Sequence, residues 1–128
     1  MTRLCFFLGV LTLFCASCKS KKEIGPRETW WQSCSTFEVF EDGYRLSGLC
    51  CAYITIPKLT LYKDESFSAK GDYYAYTGAG FAAQPVTVSG AVSKDGKSLT
   101  LRYTVNDIET SLELTPGRSP VVCDCFCD

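Results

Sequence analysis

Cysteine dominates the chemistry that this sequence could carry. The chain has 128 residues, nine of them cysteine and none histidine. Without imidazole there is no Ser-His-Asp triad, no Cys-His dyad and no histidine metal ligand. Three cysteines crowd the end of the chain, Cys123, Cys125 and Cys127, separated by Asp124 and Phe126. On a strand all three side chains would point to one face. Successive same-face residues lie roughly 6.6 Å apart, near the upper limit for a disulfide. Pairing inside the triplet is therefore disfavoured, and each thiol reaches more easily toward a neighbouring strand. The partners in the body of the chain are Cys34, Cys50 and Cys51. Cys50 and Cys51 are adjacent and would face opposite sides of a strand, so both join the triplet only if a bulge or bend re-aims one.

Three chemistries are open to these six residues. Structural disulfides suit an exported domain, where each native bridge stabilises a small core by about 2–5 kcal/mol. Sequence does not choose among the connectivities. A thiolate site for zinc or cuprous copper is the second, since Cys-x-Cys-x-Cys offers soft ligands. The two-residue spacing of a zinc knuckle is missing. Free thiols are the third, but a redox centre wants Cys-x-x-Cys beside a helix N-terminus, and the sequence has neither. No metal and no cofactor is therefore assigned.

Aromatic residues form the other candidate site. Tyr73, Tyr74, Tyr76 and Phe81 flank Gly78, Ala79 and Gly80, and Trp30 and Trp31 add a second pair. Rings of this kind stack on sugars or apolar ligands. Trp30, Trp31, Tyr74, Tyr76 and Phe81 are the ligand-binding candidates. The competing reading is structural: Tyr73 points to the core, Tyr74 and Tyr76 pack on an outer sheet face, and residues 77–85 form a loop. That loop lacks the Gly-Lys-Ser/Thr of a phosphate site. The carboxylate pairs Glu41/Asp42 and Asp64/Glu65 fall in turns, where acidic residues cap and solvate. Asp124 and Asp128 have no calcium-loop spacing. No residue is assigned a catalytic role.

The elements that must position these groups are strands. Leu99, Leu101, Tyr103 and Val105 alternate with Ser98, Thr100, Arg102 and Thr104. That period of two belongs to a strand lying between core and solvent. Ile108, Leu112 and Leu114 continue it beyond an Asn106-Asp107 turn. Val86, Val88 and Val92 follow the same grammar, and residues 94–97 are a hairpin signal built on Gly96. Residues 36–40 and 44–48 flank another turn at 41–43. Further strands are expected over 50–56, around Leu59 and Leu61, over 67–76, and over 121–126. No segment reads as a helix. Eight or nine short strands with regular turns predict an all-β antiparallel meander, closed as a small barrel or folded as a sandwich. With 46% hydrophobic residues, 21% charged residues and a formal charge of -1, one globular domain is expected. That balance argues against nucleic acid as a partner.

The N-terminus reads as an address. Arg3 precedes an apolar run over 4–14, and the small residues Ala16 and Ser17 precede Cys18. The run is too short for a membrane span, which needs roughly 17–25 residues. Cys15-Ala16-Ser17-Cys18 resembles the lipobox of bacterial lipoproteins. The resemblance implies cleavage before Cys18 and a diacylglycerol on its thiol. Residues 1–17 are then a signal peptide, 18–28 the lipidated cysteine with a polar tether, and 29–128 a single β domain. More than one acyl chain anchors a protein stably, at about 0.8 kcal/mol per buried methylene.

The rhythm of residues 54–61, 86–90 and 98–101 is similar to that of small lipocalin-like (calycin-like) lipoproteins of Gram-negative bacteria. Glu28-Thr29-Trp30-Trp31 stands near where true lipocalins carry Gly-x-Trp. The expectation is a non-enzymatic protein, anchored in the cell envelope at the outer membrane or periplasmic face. It would bind a small apolar or sugar-like ligand, or a partner protein, through its aromatic loop end. The alternatives are an envelope-assembly protein whose sheet edge pairs with a partner, and a thiolate metal-binding protein centred on Cys123, Cys125 and Cys127.

Overall fold

The structure, a computed structural model, describes residues 29–127; the expected signal peptide, Cys18, the tether and Asp128 lie outside them. Eight antiparallel strands follow one another around a closed barrel. They are β1 (Trp30–Gln32), β2 (Ser35–Phe40), β3 (Gly43–Ser47), β4 (Ala52–Pro57), β5 (Ser66–Tyr76), β6 (Phe81–Val92), β7 (Leu99–Val105) and β8 (Ile108–Pro116). Each strand pairs with its sequence neighbours, and β1 meets β8 to close the ring. The all-β expectation holds, with the barrel chosen over the sandwich. No helix occurs among the described residues.

The alternation read from the sequence becomes the inside and outside of this barrel. Trp30, Phe37, Leu46, Ile54, Val88, Leu99, Leu101 and Leu114 are fully buried. Each such side chain stabilises the fold by about 1.5–3 kcal/mol relative to exposure. Phe37 and Tyr44 stack inside with ring centroids 4.8 Å apart. An eight-stranded barrel is just wide enough for side chains to fill it, and here they do along most of its length. The two longest strands accommodate the curvature through inward glycines. A Cβ on Gly71 would collide with the backbone oxygen of Thr55, and one on Gly90 with the ring of Phe67.

The turns obey their chemistry. Asn106 and Asp107 both take positive φ, 50° and 63°, as a two-residue hairpin matched to strand twist requires. Between β6 and β7, Asp95 accepts from Ser93 Oγ at 2.6 Å and from the Lys97 amide at 3.0 Å. Those bonds hold its carboxyl below the ordinary carboxylate range.

Three expectations need correction. Leu59 and Leu61 belong to no strand, because Pro57 ends the β4 ladder; Leu61 instead buries into the core. Residues 121–126 are irregular rather than a closing strand, because the barrel already closes through β8 and β1. The loop expected over 77–85 stops at Gly80, and Phe81 to Pro85 are part of β6. The short β1 was missed by the sequence pattern, since three residues give periodicity too little to act on.

Two rims result. One carries turns 33–34, 48–51, 77–80 and 106–107. The other carries Thr29, turn 41–42, the long 58–65 loop with its Leu61 plug, turn 93–98 and the end of β8. Truncating Leu101→Ala should cost about 2–5 kcal/mol in urea unfolding, because buried apolar contact is lost and the surrounding core closes the cavity only in part. Val122→Ala, at an exposed site, should stay within about 0.5 kcal/mol of the parent in the same measurement.

Candidate functional site

The cysteines converge on the first rim. Beyond β8 the chain reverses at Gly117, whose φ of 119° suits glycine and whose amide donates to Thr29 O at 2.7 Å. Ser119 Oγ then donates to Ser33 O at 2.6 Å. From there the tail is bonded to two turns through three disulfides. They join Cys34 to Cys123, Cys50 to Cys125 and Cys51 to Cys127, with Cα separations of 5.8, 5.4 and 5.5 Å. Adjacent Cys50 and Cys51 both reach the tail because both adopt positive φ, 52° and 61°. That double left-handed turn is the bend which the adjacent pair demanded. Within the tail Val122 and Phe126 stay 90% and 87% exposed. A sulfur in a disulfide is no longer a thiolate, so these six have no ligand to offer a metal while they remain paired.

Beside this strap the barrel opens. Leu49, Tyr73, Tyr103, Val105, Asn106, Ile108 and Thr110 surround a cavity of about 410 Å³ at the same rim. Tyr73, Tyr103, Val105, Ile108 and Thr110 occupy inward positions of β5, β7 and β8, as the register fixes. Depth follows the strands: Ile108 at the lip is 68% exposed, whereas Tyr103 is buried. Burial pushes the Tyr103 phenol above its ordinary value; a hydrogen bond with Thr110 partly offsets this, and nearby Tyr73 adds to it. The mouth therefore has apolar walls, Leu49, Val105 and Ile108, around a small set of hydroxyl groups.

A second aromatic feature lies outside the barrel. Tyr53 and Tyr74 stack at 4.7 Å, because β4 and β5 set them directly opposite one another. Phe81 tilts onto Tyr53 at 5.1 Å and meets Tyr76 edge-on at 5.6 Å. Arg45 lies over the rings of Tyr53 at 4.2 Å and Phe40 at 4.9 Å. The faces of Tyr53 are thus occupied by its own neighbours. Such contacts contribute about 0.5–1.5 kcal/mol each, and here they brace the wall.

The sequence-chosen aromatics separate accordingly. Trp30 is wholly buried and drops out as a ligand contact, because β1 turns it inward. Trp31 faces outward and is partly covered by the returning tail at Gly117. Tyr74, Tyr76 and Phe81 come together, but on the outer wall. Tyr73, read as pointing to the core, does point inward and packs against it, at the end where the mouth opens. Leu49, Tyr103, Val105 and Ile108 were missed as site residues; Leu49 sits in a turn with no period, and the alternation of the other three marks an inward face but not which inward positions reach a rim. No protein-family model, curated protein or solved structure matches the chain.

Two outcomes follow. Intact mass of the unreduced protein should fall six hydrogens below the reduced form, and Cys34→Ser with Cys123→Ser should lower unfolding stability by about 2–5 kcal/mol. The raised Tyr103 value means that the fold favours the neutral phenol. Its contribution is complete below the ordinary tyrosine range and is lost as pH rises through the raised value. Urea unfolding between about pH 8 and pH 11 should show that loss, and Tyr103→Phe should flatten it.

Proposed function

We propose that this chain is a lipid-anchored, non-enzymatic barrel of the cell envelope that holds a small apolar ligand with a polar head in its mouth. The observation that carries this reading is the mouth itself: hydroxyls of Tyr73, Tyr103 and Thr110 among the apolar walls of Leu49, Val105 and Ile108. Its volume of about 410 Å³ falls within the range of about 300–1,000 Å³ common to small-molecule sites. A few polar groups fix orientation there, while the walls supply the affinity. The remaining core is filled, so the ligand is held at the rim rather than swallowed along the axis.

Two sequence features support the rest of the reading. The lipobox-like 15–18 segment would carry a diacylglycerol on Cys18, and the lipocalin-like rhythm agrees with a closed meander that would carry its ligand at one end. The tether joins the domain at Thr29, on the rim opposite the mouth. A barrel held at the outer membrane or periplasmic face would then present its mouth away from its point of attachment.

A dansyl-labelled fatty acid serves as the probe. Its emission should shift to the blue and brighten with the parent protein. Ile108→Arg, which places a charge at the lip, should weaken binding at least about tenfold, or 1.4 kcal/mol. Its melting temperature should stay unchanged. A probe that ignores the parent protein, with phospholipids and glycans equally inert, would remove the ligand reading. Cys18→Ala should shift the protein from the membrane to the soluble fraction on cell fractionation; a membrane-bound Cys18→Ala protein would remove the anchor.

A further inference from the structure

The barrel is closed, yet one strand keeps a bare edge. β1 is only three residues long and pairs with β8 at just two positions, Trp30 with Pro116 and Trp31 with Thr115. Past that point the Gln32 side chain takes the Glu113 amide at 2.9 Å, and the chain turns away at Ser33. β8 continues toward the stapled rim from Glu113 back to Ile108 with no strand on that side among the described residues. Within an antiparallel strand, amides point alternately to the two neighbours. Since the Glu113 amide points away from β7, so do those of Ser111 and Glu109, together with their carbonyls. No backbone hydrogen bond outside the ladders reaches either residue among those described.

A comparable overhang on β6 is blunted. Residues 81–87 of β6 extend beyond their β7 partners. The Val92 amide bonds to Glu65 on the β5 side, so the odd residues of β6 face β7. Pro85 occupies one of those odd positions and removes the donor, a usual protection of edges. β8 has neither proline nor lysine between Ile108 and Leu112.

We infer that the free edge of β8, Ile108 to Glu113, receives an extended peptide segment of another protein whose side chains alternate basic and apolar. Backbone pairing to Glu109 and Ser111 supplies the register, as in strand addition generally. The outward residues Glu109 and Glu113 would meet the basic positions. The inward residues Ile108, Thr110 and Leu112 would meet the apolar ones, which lie over the mouth beside Leu49. A second copy of this chain fits poorly. Antiparallel pairing centred on Ser111 opposes Glu109 to Glu113; centred on Thr110 it opposes Asp107 to Glu113; centred on Glu109 it opposes that residue to itself. Like charges directly opposite one another destabilise a strand pair. This inference does not depend on what the mouth holds.

The test uses the disulfide-bonded protein in detergent and the capped peptide Lys-Val-Lys-Val-Lys-Val. Amide hydrogen exchange is read by NMR at Glu109 and Ser111. Both should exchange fast alone and at least about tenfold more slowly with saturating peptide. A Glu-Val peptide should have no effect, and Glu109→Lys with Glu113→Lys should reverse the preference. Ser111→Pro removes an amide that faces the free edge and none that bonds β7, so it should abolish peptide binding while leaving Leu101 and Leu114 protected. Three results would overturn the inference: exchange indifferent to the peptide, slow exchange already present in the free monomer, or protection that tracks dimer formation by light scattering.

Discussion

A ring of eight strands is closed here through its shortest member. Two paired positions between β1 and β8 complete the sheet, and a single glutamine side chain extends the seam by one more bond. Closure this brief holds because other parts reinforce it. Trp30, on the closing strand, is buried in the core, so opening the seam would expose the largest side chain of the interior. The tail then doubles back past Thr29 and Ser33 and is bonded to Cys34, immediately beyond β1. Hydrophobic burial holds the seam from inside, and covalent bonds hold it from outside.

That arrangement divides the molecule into unlike halves. One rim is sealed by the 58–65 loop, with Leu61 driven into the core as a plug. The other is stapled across β1 to β4 and left open along β5 to β8. Rigidity and access therefore sit side by side on the same rim. The turns 33–34 and 48–51 are locked to the tail, whereas the 77–80 and 106–107 turns carry no covalent restraint. The cavity lies where the unlocked hairpins meet Leu49 of a locked turn.

Most of the fold was legible because strand periodicity is a local property. Leu99 to Val105 announces an inward face without reference to anything else in the chain, and Asn106-Asp107 announces its own turn. The convergence of Cys34, Cys50 and Cys51 on the terminal triplet was legible in part, since spacing alone disfavours pairs within the triplet. The pairing itself was not, because it depends on a left-handed bend at Cys50 and Cys51. The tail misled for a related reason. Residues 121–126 are β-formers, but a strand needs a neighbour, and the number of free edges is a global property. The mouth was hidden likewise: Tyr73 and Tyr103 obey the same alternation as the core, and only the stagger of the strands lifts them to a rim. β1 was invisible because its sheet, not its sequence, makes it a strand.

The bridges also constrain the order of events during biogenesis. Each spans between 75 and 89 residues, and every one has its later partner between Cys123 and Cys127, beyond β8. None can form until synthesis has passed β8 and reached Cys123. With neighbouring thiols at 50 and 51 facing three more spaced two apart, mispairing is a combinatorial hazard that exchange chemistry must correct. The barrel is then the jig on which the correct set is selected. A chain that stopped before Cys123 would lose every bridge at once.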